Sequence, residues 1–174
     1  MRRRKAFFLI LVFVLLAAAG TDAEQLSPDE ITVAAVGDIM LGHRAEPYLT
    51  REGPDYPFVS VLPVLQQARL VIGNLESPIS SRGTAVENKK FTLRAAPMAV
   101  AALKAAGIRV VSLANNHTMD FGPLALQDTL KVLGENDILY AGAGMNLDDA
   151  RAAAFLKVGD QTLAFLSYSL TFPL

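Results

Sequence analysis

The segment Ile108–Gly122, "IRVVSLANNHTMDFG", decides the fold class. Its first seven residues are β-branched or aliphatic apart from Arg109 and Ser112, the pattern of a buried strand. Two asparagines, a histidine and an aspartate follow at once. Pro123 then opens "PLALQDTLKVLG", with Pro at the start of a helix and Gly134 at its stop. A strand that delivers polar groups to one point and is followed by a helix is the repeating unit of an α/β sheet.

The same unit recurs on both sides. Upstream, "ITVAAVGD" (Ile31–Asp38) reads as a strand that stops at Gly-Asp, and "RLVIGN" (Arg69–Asn74) as a second. Between them "PFVSVLPVLQQA" has helical spacing at Phe58, Val61, Leu62 and Leu65, with Pro63 as a kink or early stop. "SPISSRGTAVENKK" (Ser77–Lys90) is a long polar loop without periodicity, and "FTLRA" reads as a brief strand. Pro97 opens a further helix that Gly107 ends. Downstream, "DILYAGAG" reads as a strand and a Gly-rich turn, and "NLDDARAAA" as a short helix capped by Asn146. "AFLKVGDQTLAFLSYS" reads as a β-hairpin turning at Gly159-Asp160. Strands alternating with helices, most of them apolar throughout, predict an α/β layered sheet with covering helices.

The chain has 174 residues, 52% of them hydrophobic, no cysteine and no tryptophan, which is enough for one domain with a real core. A formal net charge of −1 and scattered basic residues argue against a nucleic-acid partner. "MRRRK", the apolar run Ala6–Gly20 and the small residues around Ala23 form the three parts of a secretory signal peptide over residues 1–23. An uncleaved membrane anchor is the alternative reading of that run. The absence of cysteine argues against a lipid anchor. Cleavage before Glu24 leaves 12 basic and 16 acidic residues, net −4. Residues 24–30, "EQLSPDE", form a polar linker to the domain at 31–174. An exported chain without disulfides depends on core burial for its stability.

Three strands end in polar residues: Asp38 with His43 after the first, Asn74 and Glu76 after the second, and Asn115, Asn116, His117 and Asp120 after the third. In open α/β sheets ligands bind beyond the carboxyl ends of the strands. Parallel strands therefore bring these groups to one edge. Carboxylate and amide oxygens with an imidazole suit a hard or borderline divalent ion, Mn, Mg, Zn or Fe(II), and a histidine near neutrality suits acid–base work. Each cluster also has a structural reading: Gly37-Asp38 as a turn, Glu76 as a solvated carboxylate, Asn115-Asn116 as left-handed turn residues, His43 as surface. Asp120, Gly122 and Pro123 read as the turn into the next helix.

"VGDIMLG", "LVIGNLESPI" and "VSLANNHTMDFG", followed by "YAGAGMNLDDA", resemble the CapA family of bacterial capsule synthesis proteins, within the calcineurin-like metallophosphoesterase superfamily. The resemblance runs from about Ile31 to the C-terminus. It implies an αββα sandwich and a role in poly-γ-glutamate capsule synthesis and export. It implies an exported protein, periplasmic, extracellular or anchored through its N-terminal segment. An anionic polymer or other cell-envelope substrate is the implied ligand, and a membrane-bound capsule synthesis complex the implied partner. It further implies Asp38, Glu76 and Asn116 as metal ligands, His117 as the catalytic acid–base residue, and Asn74, Asn115 and His43 lining the site. Met40 and Thr118 stand where the wider superfamily has a histidine and an acid, as in the capsule family itself. Two activities follow: a metal-dependent hydrolase or transferase, or a non-catalytic component of a capsule assembly or export complex. The superfamily sheet supplies more histidines from later strands, whereas this chain has only His43 and His117. The expectation is an N-terminal portion of a longer domain, inactive as an enzyme by itself.

Overall fold

The computed structural model describes residues 30–171. The expected signal peptide, the expected linker up to Asp29 and the last three residues lie outside it. Six strands and five short helices follow one another: β1 (Val33–Ile39), α1 (Glu46–Glu52), α2 (Leu62–Leu65), β2 (Leu70–Leu75), α3 (Val100–Ala105), β3 (Ile108–Ser112), α4 (Gly122–Glu135), β4 (Leu139–Ala141), α5 (Leu147–Arg151), β5 (Ala154–Val158) and β6 (Gln161–Phe165). A 3-10 turn, Pro97–Ala99, leads into α3. Strands β1 to β4 form a parallel sheet in sequence order, and β5–β6 form an antiparallel hairpin.

The two sheets and the helices make layers. One face of the parallel sheet (Ile39, Val71, Leu75, Ile108, Val111) packs on Leu49 of α1, Leu65 of α2, Leu103 of α3 and Leu133 of α4. The other face (Leu70, Val110, Ala141) packs on Ala154, Leu156 and Val158 of the hairpin. Helix, sheet and hairpin are thus the first three layers of the expected α-β-β-α order. The domain is an α/β fold of the metallophosphoesterase type. Among the described residues no helix is long and apolar enough to cross a membrane.

Two register shifts position the polar strand ends. β2 pairs Val71 with Ile108 but Ile72 with Val110, so Arg109 is an extra residue in β3. This bulge sends Ile108 and Val110 to opposite faces, although they are two residues apart. β1 pairs Ala35 with Ile72 but Asp38 with Asn74, so it too carries one extra residue. Val36 and Ile39 consequently pack on the same face, over Gly73. A Cβ on Gly73 would lie 2.5 Å from Ile39 Cδ1 and 2.7 Å from Val36 Cγ2.

Several sequence expectations are corrected. The segment Pro57–Ala68 is mostly turns, closed by Phe58 N–H to Asp55 O and Leu62 N–H to Phe58 O, and its only helix is α2. Pro63 sits in the first turn of α2, where its missing N–H is harmless, so it starts the helix instead of kinking it. "FTLRA" forms only a single bridge, Ala95 with Ile79. Gly134 lies inside α4, and Asp137, at φ 59°, reverses the chain after it. α1 escaped notice because it buries only Leu49 and so shows no periodicity. The Asn146 cap is present: its side chain accepts from Asp149 N–H at 2.9 Å.

Candidate functional site at the carboxyl edge of the sheet

The β1 bulge turns Asp38 toward Asn74, whose Nδ2 donates to Asp38 Oδ1 at 2.7 Å. Asn74 Oδ1 accepts from Asn115 Nδ2 at 3.0 Å, and the same Nδ2 lies 3.0 Å from Leu75 O. Asn115 Oδ1 accepts from His117 N–H at 2.9 Å and from Thr118 Oγ1 at 3.1 Å. The carboxyl ends of β1, β2 and β3 are therefore joined by one run of amide and carboxylate bonds. Asn115 spans the last gap. Neither asparagine of the Asn115-Asn116 pair has positive φ, which excludes the left-handed turn reading.

His117 is the pivot of the site. Its Nδ1 is 2.7 Å from Oδ2 of Asp120, a carboxylate with no exposed side-chain surface. Asp120 also accepts from Lys89 Nζ at 2.5 Å and from Leu93 N–H at 2.6 Å. A carboxylate beside an ammonium can only accept, so Nδ1 donates and Nε2 is the ring nitrogen left without a proton. Nε2 faces Glu76, 3.7 Å from Oε1, beyond hydrogen-bond range but close enough to feel its charge. The His117 side chain is 13% exposed, so the ring is held from behind and reachable in front.

The long polar loop is the fourth wall. Val86 N–H donates to Asp120 O, and Lys89 Nζ also donates to Asn116 O. At its other end Ser80 and Arg82 bind Asp128 of α4. The Arg82 guanidinium, followed by the Ser80 hydroxyl, holds the Asp128 carboxyl down at about 2. A segment without periodicity is thus fixed at both ends.

Asp38, Asn74, Glu76, Asn115 and His117 meet as expected. Asn116 lies beside them with no hydrogen bond to its side chain among the described residues. His43 does not join them: it is exposed, at φ 51°, and lines a neighbouring cleft with Arg94 and Phe121. Asp120 is more than a turn residue, since it anchors His117. Its signal was the His-x-x-Asp spacing after a strand. Lys89 had no signal, because nothing in an aperiodic loop marks which lysine folds inward.

Glu76 and His117 form a close pair, but Asp38 is engaged by Asn74, and among the described residues no three of His, Cys, Asp or Glu converge to hold an ion. What the arrangement does provide is an oriented imidazole with one free nitrogen at the open edge of a parallel sheet.

A layered α/β domain with an oriented histidine and a run of amides at its sheet edge is the class that fold and site define. The sequence model of the family described as bacterial capsule synthesis protein PGA_cap matches residues 32–172, and the chain belongs to that family. It is 34% identical over 181 residues to a capsule biosynthesis protein CapA of Bacillus anthracis, covering 98% of this chain and 44% of that protein. It is 31% identical over 166 residues to the PGA biosynthesis protein CapA of Bacillus subtilis, covering 94% and 44%. A probable polyglutamine synthesis accessory protein of Mycobacterium tuberculosis is 32% identical over 168 residues, covering 78% and 44%. The chain thus spans under half the length of each of these relatives.

Proposed function

We propose that the protein serves the synthesis of an anionic capsule or cell-envelope polymer, poly-γ-glutamate, after export, and that His117 transfers a proton at the bound polymer. The observation that supports this is the buried Asp120 behind Nδ1, which leaves Nε2 as the working nitrogen on the open side. Asp120 fixes the ring's tautomer and orientation and stabilises the imidazolium that forms when Nε2 takes a proton. Lys89 balances the Asp120 charge and holds the long loop over the site. Glu76 faces the same nitrogen, with Oε1 3.7 Å away. Family membership supports the polymer, through the names of the relatives. Export rests on the N-terminal segment.

A second reading is a non-catalytic component of a capsule assembly complex at the membrane. Met40 and Thr118, which stand where the wider superfamily has a histidine and an acid, favour it. One experiment separates the two. In a host whose capsule depends on this gene, His117→Ala and Asp38→Ala are introduced and the polymer is quantified. Loss of polymer with normal protein levels is the expected result. Normal polymer in both variants, with none in the deletion strain, would sink the proton-transfer reading in favour of the second.

A further inference from the structure

Beside the His117 site lies a cleft of about 400 Å³, lined among others by His43, Glu46, Ser81, Thr92, Arg94 and Phe121. It is coupled to the site through neighbouring residues: Asp120 binds Leu93 N–H, and Phe121 carries the next residue, Arg94. The Arg94 guanidinium lies 4.2 Å from the centroid of the Phe121 ring, and its Nη1 donates to Arg82 O at 3.0 Å. The cation–π contact and the hydrogen bond together hold the group in place. The backbone beneath it is equally constrained. A Cβ on Gly42 would collide with Arg94 O, and one on Gly83 with Phe121 O, so both loops close directly onto this pair.

Arg94 is a cation held in place by neutral groups, the Phe121 ring and the Arg82 carbonyl. Among the described residues no carboxylate forms an ion pair with it, whereas Arg82 is paired with Asp128 and Lys89 with Asp120. Its Nε and Nη2 have no protein partner among those residues. That edge of a guanidinium matches a carboxylate with two parallel hydrogen bonds. An immobilised side chain also loses little further entropy on binding. Glu46 lines the same cleft without pairing with Arg94, and opposes an incoming anion.

We propose that this cleft is a carboxylate-binding subsite, with Arg94 as its receptor, that seats an ionised group of the ligand next to His117. The carboxylate chemistry rests on the geometry of Arg94, and only the identity of the polymer rests on the function proposed above.

The test is calorimetric titration of the full chain with a short glutamate oligomer, a glutamine oligomer of equal length, and glutarate. Arg94→Gln is expected to weaken the glutamate oligomer by about tenfold or more. Glu46→Gln is expected to tighten it, and the neutral oligomer should bind neither protein measurably. Arg94→Lys should restore only part of the affinity, because it keeps the charge and loses the planar fork. Oligomer binding that Arg94→Gln leaves unchanged overturns the subsite and leaves the capsule-polymer reading standing. Arg94-dependent binding of glutarate without binding of the oligomer supports the subsite and removes the polymer. No binding of either anion by the wild-type chain overturns the proposal. If Arg94→Gln does not fold, Glu46→Gln decides: unchanged or weakened affinity there counts against it.

Discussion

Asp120 binds His117, Lys89 and Leu93 N–H through one buried carboxylate, and its replacement separates orientation from packing. Asp120→Asn keeps the shape but places an amide donor near Nδ1. The His117 proton is then expected to move to Nε2, and capsule polymer to fall. Long-range nitrogen–proton correlation spectra report the tautomer directly, and an unchanged tautomer would remove Asp120 from its positioning role. Asp120→Ala is harsher. It strands the partly buried Lys89 ammonium and Leu93 N–H, at about 3–5 kcal/mol. Asp128 offers a second test, by pH. Its carboxyl sits at about 2 in the fold, below the ordinary value near ~3.9. A depressed folded value means that the pair with Arg82 contributes fully above about pH 4 and is lost as pH falls toward 2. The contribution is small because Arg82 is half exposed. Carbonyl-detected titration of Arg82→Gln should show the Asp128 midpoint rising toward the ordinary range. An unmoved midpoint would show that Arg82 does not hold it down.

Among the elements, β1 and β2 set the site through a defect in their pairing. The extra residue in β1 brings Asp38 opposite Asn74, and it is tolerated because Gly73 leaves room for both Val36 and Ile39. Gly73→Ala is therefore expected to destabilise the fold by about 1–3 kcal/mol through overpacking. It should also loosen the Asp38–Asn74 hydrogen bond. Urea denaturation measures the first effect, and the Asn74 side-chain amide resonance reports the second. A wild-type midpoint would mean that the strands separate at no cost. None of this was visible in "ITVAAVGD", because a bulge is a property of two strands in register and not of either sequence alone. The strand itself was legible, since its apolar run is local.

At the scale of the whole molecule, the described residues form two hydrophobic clusters, one on each face of the parallel sheet, and they should respond differently to truncation. Leu103 of α3 is fully buried between the helices and the sheet, and its mutation to Ala should cost about 2–5 kcal/mol of stability. Leu156→Ala, in the smaller cluster beneath the hairpin, falls in the same range only if the hairpin folds together with the sheet. Hydrogen exchange distinguishes the cases. Selective loss of protection in β5 and β6 would show that the hairpin opens separately, and uniform loss that the layers unfold as one unit.

The sequence by itself determined the alternation of strands and helices, the three polar strand ends and the family, because apolar periodicity, capping residues and contiguous motifs are local signals. The meeting of Asp38, Asn74, Asn115 and His117 also followed from it, since parallel strands must share one carboxyl edge. Tertiary structure alone decided the rest. Two bulges choose which face each side chain takes. The aperiodic loop gains its shape only by binding Asp120 and Asp128. Arg94 becomes a fixed cation, unpaired among the described residues, only where Phe121 and two glycine turns close on it. Each of these depends on contacts between residues far apart in the chain, for which no single stretch carries a pattern.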